Sequence, residues 1–482
     1  MPYKGSRMTR LFPLFFATVL VYCAVVPAQE EPNADGINPV HPAPAVVHAA
    51  PLEPMRQKGF ASLFDDAELT LRSTYYGRAR SADNRGRPNN RPHDNEIHVN
   101  AFGQGVDFRS GYAWDIVGFD VSGLTNLGRG NGTSEVLLHK EPGNRDRSSA
   151  TLGQAAVKMK LGAPDFGLEA RGGFTPISIG SLGTSGGLHS HAYRGFETKF
   201  RMGDFWLGYG WADQFRNEWD SHYRDMTNAW HQNRWGNYGA RHIPYVHSLG
   251  ARYEFGHDKA GFIDAGVGEG KGYRRNAQLV VSVPVDLGCW GVLTMTGYGI
   301  AAKYREKFAK ADKSLEYHVS GLAHLENGDW TFSAGIGHTS APDSEEMQFR
   351  LTAWGNSDNR NFIQTWAQLD DFVWDGQNVV KAGVKYKLGN RLGLPGLSVG
   401  ASYNFGWNAR NPLRERKSTS WEANYHVEYS VQSGALKGMA LGVYAGHLRY
   451  ANNKFHGKQN RNDVKVILSY SKTLEGFLRW RK

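Results

Sequence analysis

Val380-Lys381-Ala382-Gly383-Val384-Lys385-Tyr386-Lys387 alternates between apolar residues and basic or small ones. A period of 2 belongs to a β-strand, whose successive side chains point to opposite faces. One face carries Val380, Ala382, Val384 and Tyr386, and the other carries Lys381, Lys385 and Lys387. Such a strand fits a half-buried soluble sheet. It also fits the wall of a membrane barrel, provided the lysines face water inside. On the lipid face a lysine at mid-membrane costs about 2–4 kcal/mol.

The rest of the chain decides between these settings. The same period starts at Glu68, where Leu69, Leu71 and Tyr75 alternate with Thr70, Arg72 and Thr74. Eighteen such segments begin near residues 68, 98, 118, 152, 166, 195, 205, 246, 261, 275, 291, 315, 330, 378, 397, 420, 440 and 463. Most run about nine to eleven residues, the length of a tilted strand crossing a bilayer. Short turns (Gly162–Asp165, Gly203–Asp204, Gly256–Lys259, Glu326–Asp329) alternate with long loops at 77–97, 127–151, 175–194, 213–245 and 339–377. That asymmetry marks an outer-membrane barrel, whereas a propeller would repeat a four-stranded blade. Composition agrees, with 58 Gly, 22 Tyr, 24 Phe and 14 Trp and low mean hydropathy. Lipid cannot satisfy an open sheet edge, so the sheet must close. The expectation is all-β, an 18-stranded antiparallel transmembrane β-barrel over residues 58–482 in a bacterial outer membrane. An even strand number puts both termini on the periplasmic side.

The N-terminus reads as a signal peptide over residues 1–28. Lys4, Arg7 and Arg10 precede the apolar run Leu11–Val26, and Val26-Pro27-Ala28 resembles a small-residue cleavage site. Cleavage there lowers the net charge from +10 to +7. Cys23 follows Leu20-Val21-Tyr22, and the bulky Tyr22 argues against a lipoprotein box; Cys289 then remains, so no internal disulfide forms. Residues 29–57, rich in Pro and Ala, read as a flexible periplasmic tail. Its acidic start, Glu30, Glu31 and Asp35, gives it two readings: a spacer, or a segment drawn into a basic lumen.

The loop Thr175–Arg194, TPISIGSLGTSGGLHSHAYR, has almost no charge and no clean period. A long structureless connection in a compact domain is functional or misassigned. Gly180, Gly183, Gly186 and Gly187 permit tight folding, and Ile177, Ile179 and Leu188 can pack on a wall. We expect it to fold inward as a constriction loop, with Thr175, Pro176, Ile177, Ile179, Leu188, His189, His191, Tyr193 and Arg194 at the narrowing.

The cost of charge in lipid assigns the faces. Lys158, Lys160, Arg171, Lys199, Arg201, Arg252, Lys381, Lys385 and Lys387 are placed in the lumen, with Glu169, Glu197, Glu254, Asp264 and Glu316. Tyr403, Phe405, Trp407, Trp421, Tyr425 and Tyr429 fall in the outward set, as interfacial girdles. The lumen is mixed in charge with a positive bias. A competing reading has many of these charges pairing with wall neighbours and stiffening the barrel.

Several segments resemble a known family. Leu394-Pro395-Gly396-Leu397-Ser398-Val399-Gly400-Ala401-Ser402-Tyr403 is similar to a signature region of the OprD-type substrate-specific outer-membrane porins, and Tyr429–Gly434 with Lys437-Gly438 resembles their late turn. Val246–Tyr253, Tyr193-Arg194-Gly195 and Ala155–Lys160 resemble the enterobacterial chitoporin branch. The resemblance runs from about Gly59 to Leu474 and implies a monomeric eighteen-stranded barrel, an inward third loop and diffusion of small nutrients. One departure is the C-terminus, where Phe477 is followed by the basic extension Leu478–Lys482 rather than ending the chain.

Chitooligosaccharides or related oligosaccharides are the leading cargo, because sugar C–H faces lie against aromatic rings while polar groups fix hydroxyls and acetamides. Trp206, Trp211, Trp219, Tyr223, Trp230 and Trp235 are the candidate contacts, with Trp354, Trp366 and Trp374 in another long loop. The alternative cargo is basic amino acids, peptides or small carboxylates; a separate class is an outer-membrane enzyme or adhesin barrel. Enzyme signals fail on placement. Gly183–Gly187 matches G-x-S-x-G but leads into a strand, where that motif needs a helix. His189, His191, His222, His231 and His242 lack metal-ligand spacing. No cofactor, metal or nucleic acid is expected. The expected partners are the bilayer, lipopolysaccharide, the barrel-assembly machinery and a small solute.

Overall fold

The computed structural model describes residues 59–82, 97–130, 138–141, 145–183, 188–217, 220–227, 242–305, 315–342, 362–410, 417–451 and 460–475. The signal and tail segments, Trp219, Trp230, Trp235, Trp354, His231 and Phe477 lie outside them. Eighteen strands form the wall: β1 (Glu68–Ala82), β2 (Ile97–Arg109), β3 (Val117–Gly130), β4 (Ser149–Ala163), β5 (Phe166–Thr175), β6 (Ala192–Met202), β7 (Phe205–Arg216), β8 (Val246–Phe255), β9 (Gly261–Gly270), β10 (Arg274–Asp286), β11 (Val292–Tyr304), β12 (Glu316–Asn327), β13 (Trp330–Ser340), β14 (Asn378–Tyr386), β15 (Leu397–Arg410), β16 (Lys417–Ser430), β17 (Met439–Tyr450) and β18 (Arg461–Glu475). Each pairs antiparallel with its neighbours, and β1 pairs with β18 from Glu68↔Glu475 to Ala82↔Arg461. That seam closes the barrel and leaves no edge within the wall.

Every strand starts within three residues of its expected position. The strands run further than alternation alone indicated: β1 extends through Ala82 into the stretch read as a loop from 77. The reason lies across the seam, where Arg78 and Arg80 stand in register with Lys465 and Asp463. The alternation of turn lengths also breaks, since 411–416 on the long-loop side is shorter than 387–396 on the other. On the long-loop side β9 and β10 are joined by only Lys271–Tyr273, a tight turn with Gly272 at φ 69° and Tyr273 N–H bonded to the Gly270 carbonyl at 2.8 Å.

The faces separate as lipid requires. Val380, Val384, Tyr403, Phe405, Trp421 and Tyr425 are exposed on the outside, with Tyr403 stacked on Trp421. Lys381 and Lys385 point inward on β14. Lys387 does not belong with them: it lies beyond the strand end, exposed in the turn, where its N–H bonds the Asp329 carbonyl. The lumen is not uniformly polar. Two apolar clusters sit inside the wall, one around Ile177, Ile179, Leu182 and Val246, the other around Tyr298, Ile300, Ile363 and Val373.

Ala382 sits at the middle of β14 on the exposed outer face. Ala382→Arg should therefore destabilise the inserted barrel by about 2–4 kcal/mol, read by denaturant titration in vesicles. An unchanged midpoint would contradict the facing assigned here.

Candidate functional site

Among the described residues two loop segments enter the lumen. The first is 176–183 with 188–191, as the sequence led us to expect. Its tight turn, Ile179 to Leu182, is closed by two backbone hydrogen bonds of 2.9 Å and has Gly180 at φ 53°. This turn lies directly on the inner wall: a Cβ on Gly250 or Gly266 would sit 2.4 or 2.3 Å from Gly180 backbone atoms. Glycine on both partners is thus a condition of the approach. Gln278 donates to the Gly180 carbonyl (2.8 Å), and the Ser181 N–H donates to Ser248 Oγ (2.9 Å). Glu197 accepts from the Ser178 N–H at 2.9 Å and from Arg171 at 2.8 Å, while Arg171 also reaches the Pro176 carbonyl. On the far side Leu188 fills the space over Gly103, His189 bonds the Thr125 carbonyl (3.0 Å), and Arg216 holds the Ser190 carbonyl (2.9 Å). Tyr193 is buried and donates to the Gly183 carbonyl. Arg194 departs from the expected set, pairing with Asp213 at the exposed rim.

The second segment, Phe362–Gln377, was read as part of an ordinary long loop. It crosses the lumen as a strap. Glu422 on β16 accepts the N–H groups of Leu369 and Asp370, both at 2.9 Å. Asp370 in turn accepts from the Tyr450 hydroxyl (2.8 Å) and from the Trp374 indole. Lys381 donates to the Trp366 carbonyl (3.1 Å), Asn404 to the Thr365 carbonyl (2.7 Å), and Gln368 to Asp463 (3.1 Å).

Most lumen charges are paired. Lys158 meets Asp120 (2.8 Å), Arg201 and Arg252 meet Glu254 (3.8 and 3.1 Å), and Lys385 meets Glu428 (3.1 Å). Lys160 reaches Asp115 (3.6 Å) near the short-turn end, and Lys199 lies 3.9 Å from Glu197. Asp264 and Glu316 face inward but are fully buried, Glu316 beside Arg274 at 3.8 Å, so neither lines open water. Glu169 is exposed to the lumen. The seam adds charges the sequence reading missed: Arg78 grips Asp463 with two nitrogens (3.0 and 2.8 Å), and Arg80 lies 3.5 Å away.

Of the candidate sugar-contact aromatics, Trp206 faces inward beneath Ile179 and Lys199. Trp211 does not. It sits on the outer face, stacked on Phe196 and beside Tyr245, because odd positions of β7 from Phe205 to Trp211 point to lipid. Tyr223 is packed against Phe174 and donates to the Gly153 carbonyl, and burial raises its hydroxyl pKa. Trp366 is half-buried in the lumen. Its recess is also lined by Tyr444, His426, Asn424, Gln368 and Lys381. Of the G-x-S-x-G stretch, 184–187 lie outside the described residues, and the next element after it is strand β6.

Residues 302–474 match the outer membrane porin, OprD family. Over 420 residues the chain is 26% identical to the chitoporin of Escherichia coli K12, covering 80% of this chain and 84% of that protein. The likeness of this outer-membrane barrel is thus to porins of the OprD family, by family model over its C-terminal 302–474 and by one relative over most of its length. Solved structures share its fold: Pseudomonas aeruginosa OpdK with vanillate (19% identical, 86% of this chain and 100% of that one, TM-score 0.69) and Acinetobacter baumannii OccAB1 (15%, 87% and 99%, TM-score 0.72).

In this barrel His189 supplies a pH test. Burial, which outweighs the Thr125 hydrogen bond, holds its imidazole at about 4, with Arg72 and Arg216 pressing the same way and Asp107 opposing. A released loop would take up a proton near the ordinary 6.5. The inward state is therefore fully favoured above about 6.5 and loses ground as pH falls toward 4. Channel noise should rise between pH 7 and 5 in planar bilayers, and His189→Gln should flatten that dependence. An identical pH profile in the variant would remove His189 from the account.

Proposed function

We propose that this porin passively and selectively admits short oligosaccharides, chitooligosaccharides foremost, as a monomer and without a catalytic step. The observation that carries the reading is the recess beside the strap. There the half-buried Trp366 ring and Tyr444 stand beside Asn424, Gln368, Ser333 and Lys381. A ring offers a flat apolar surface to sugar C–H groups, and the amides suit hydroxyl and acetamide groups. The likeness to a chitoporin supports the same class of cargo. Small carboxylates form a second reading, favoured by Arg78, Arg80 and Lys465 gathered in register at the seam around Asp463.

Block of single-channel current separates the two. Chitooligosaccharides should block in a concentration-dependent way, and Trp366→Ala should weaken that block about tenfold, as the loss of one ring contact implies. Stronger block by aromatic carboxylates, unaffected by Trp366→Ala, would move the assignment to the second reading.

A further inference from the structure

Most of the outer wall is an apolar band, but a patch on β7–β11 has a different build. Tyr209, Leu249, Val267, Ala277 and Ala301 form one outward row in register across neighbouring strands. Its side chains shrink along the row, and a hollow of about 470 Å³ opens over the small ones, closed on one side by Leu315. Two residues nearer the long-loop rim, about 7 Å along the strands, lies the row His247, Glu269, Arg275 and Lys303. Glu269 bridges Arg275 (3.0 Å) and Arg305 (2.8 Å), whose side chains remain 60% and 41% exposed. Lys303 is exposed, and Lys271 stands 5.9 Å from the Tyr245 ring. Among the described residues of this rim, four cations face one carboxylate. A guanidinium has five N–H donors, so Glu269 fixes the two arginines without exhausting them.

An apolar hollow facing lipid, capped by a cationic rim at the outer interface, is complementary to an anionic glycolipid. We propose that the outer face of β8–β11 binds the phosphorylated lipid A portion of lipopolysaccharide, with an acyl chain in the hollow and phosphate on Arg275, Lys303 and Arg305. The cationic excess favours a headgroup with more than one negative charge over a singly charged phospholipid. The site faces away from the lumen, so unchanged single-channel conductance reports that a variant is folded.

The test uses the whole porin in detergent, with bound lipid counted by native mass spectrometry. The probes are bis-phosphorylated lipid A, dephosphorylated lipid A and phosphatidylglycerol. The wild type should retain bis-phosphorylated lipid A over both others. Arg275→Gln/Lys303→Gln/Arg305→Gln should weaken that retention at least about tenfold. Ala301→Phe, which fills the hollow and keeps every cation, should weaken it as well, and it decides the matter if the triple variant fails to assemble. Equal retention of the three lipids would overturn the proposal. So would wild-type retention in either variant at native conductance, or occupation of this face by a second copy of the chain.

Discussion

A loop drawn into a barrel lumen brings backbone N–H groups that no sheet ladder satisfies, and each must find a partner or lose about 1–3 kcal/mol. Here wall carboxylates and amides accept that role. Glu197 takes the Ser178 N–H, and Glu422 takes those of Leu369 and Asp370. Ser248, Gln278, Asn404 and Lys381 satisfy further backbone groups of the two segments. The aperture is therefore a property of wall and loops together.

That arrangement uses up much of the lumen's charge. Arg171 is committed to Glu197 and Pro176, and Lys381 to Trp366. The positive bias visible in composition is thus largely neutralised locally. Apolar packing completes the loops' hold. Ile177 and Ile179 press on a wall that is glycine at 208 and 210, where a larger residue would leave no room. Packing of this kind fixes a single loop position, which hydrogen bonds to flexible side chains alone would leave loose.

The wall was legible in the sequence because lipid forces a strict period of 2, and a one-residue slip would put charge into the membrane. The inward position of Ile179 and Leu188 was legible because an uncharged, glycine-rich loop has no reason to face water. The strap was not, because its partners Glu422, Asn404 and Asp463 lie on strands distant in sequence, and alternation gives faces but not neighbours. Its dense apolar content, Phe362, Ile363, Trp366, Leu369, Phe372, Val373 and Trp374, was the available signal. Arg78 and Arg80 were missed for a related reason: only pairing with β18 shows that β1 continues past Gly77. Trp206 and Trp211 stand on opposite faces of β7 by parity, so only one of the two could face the lumen, and that is Trp206.

The central claim is that Glu197 and Glu422 hold the segments that set the aperture. Single-channel conductance of Glu197→Ala, Glu422→Ala and the double variant, each in correctly assembled barrels, tests it most directly. The account predicts a higher and noisier conductance in each single variant and the largest rise in the double. Conductance and noise indistinguishable from the wild type in the double variant would contradict it.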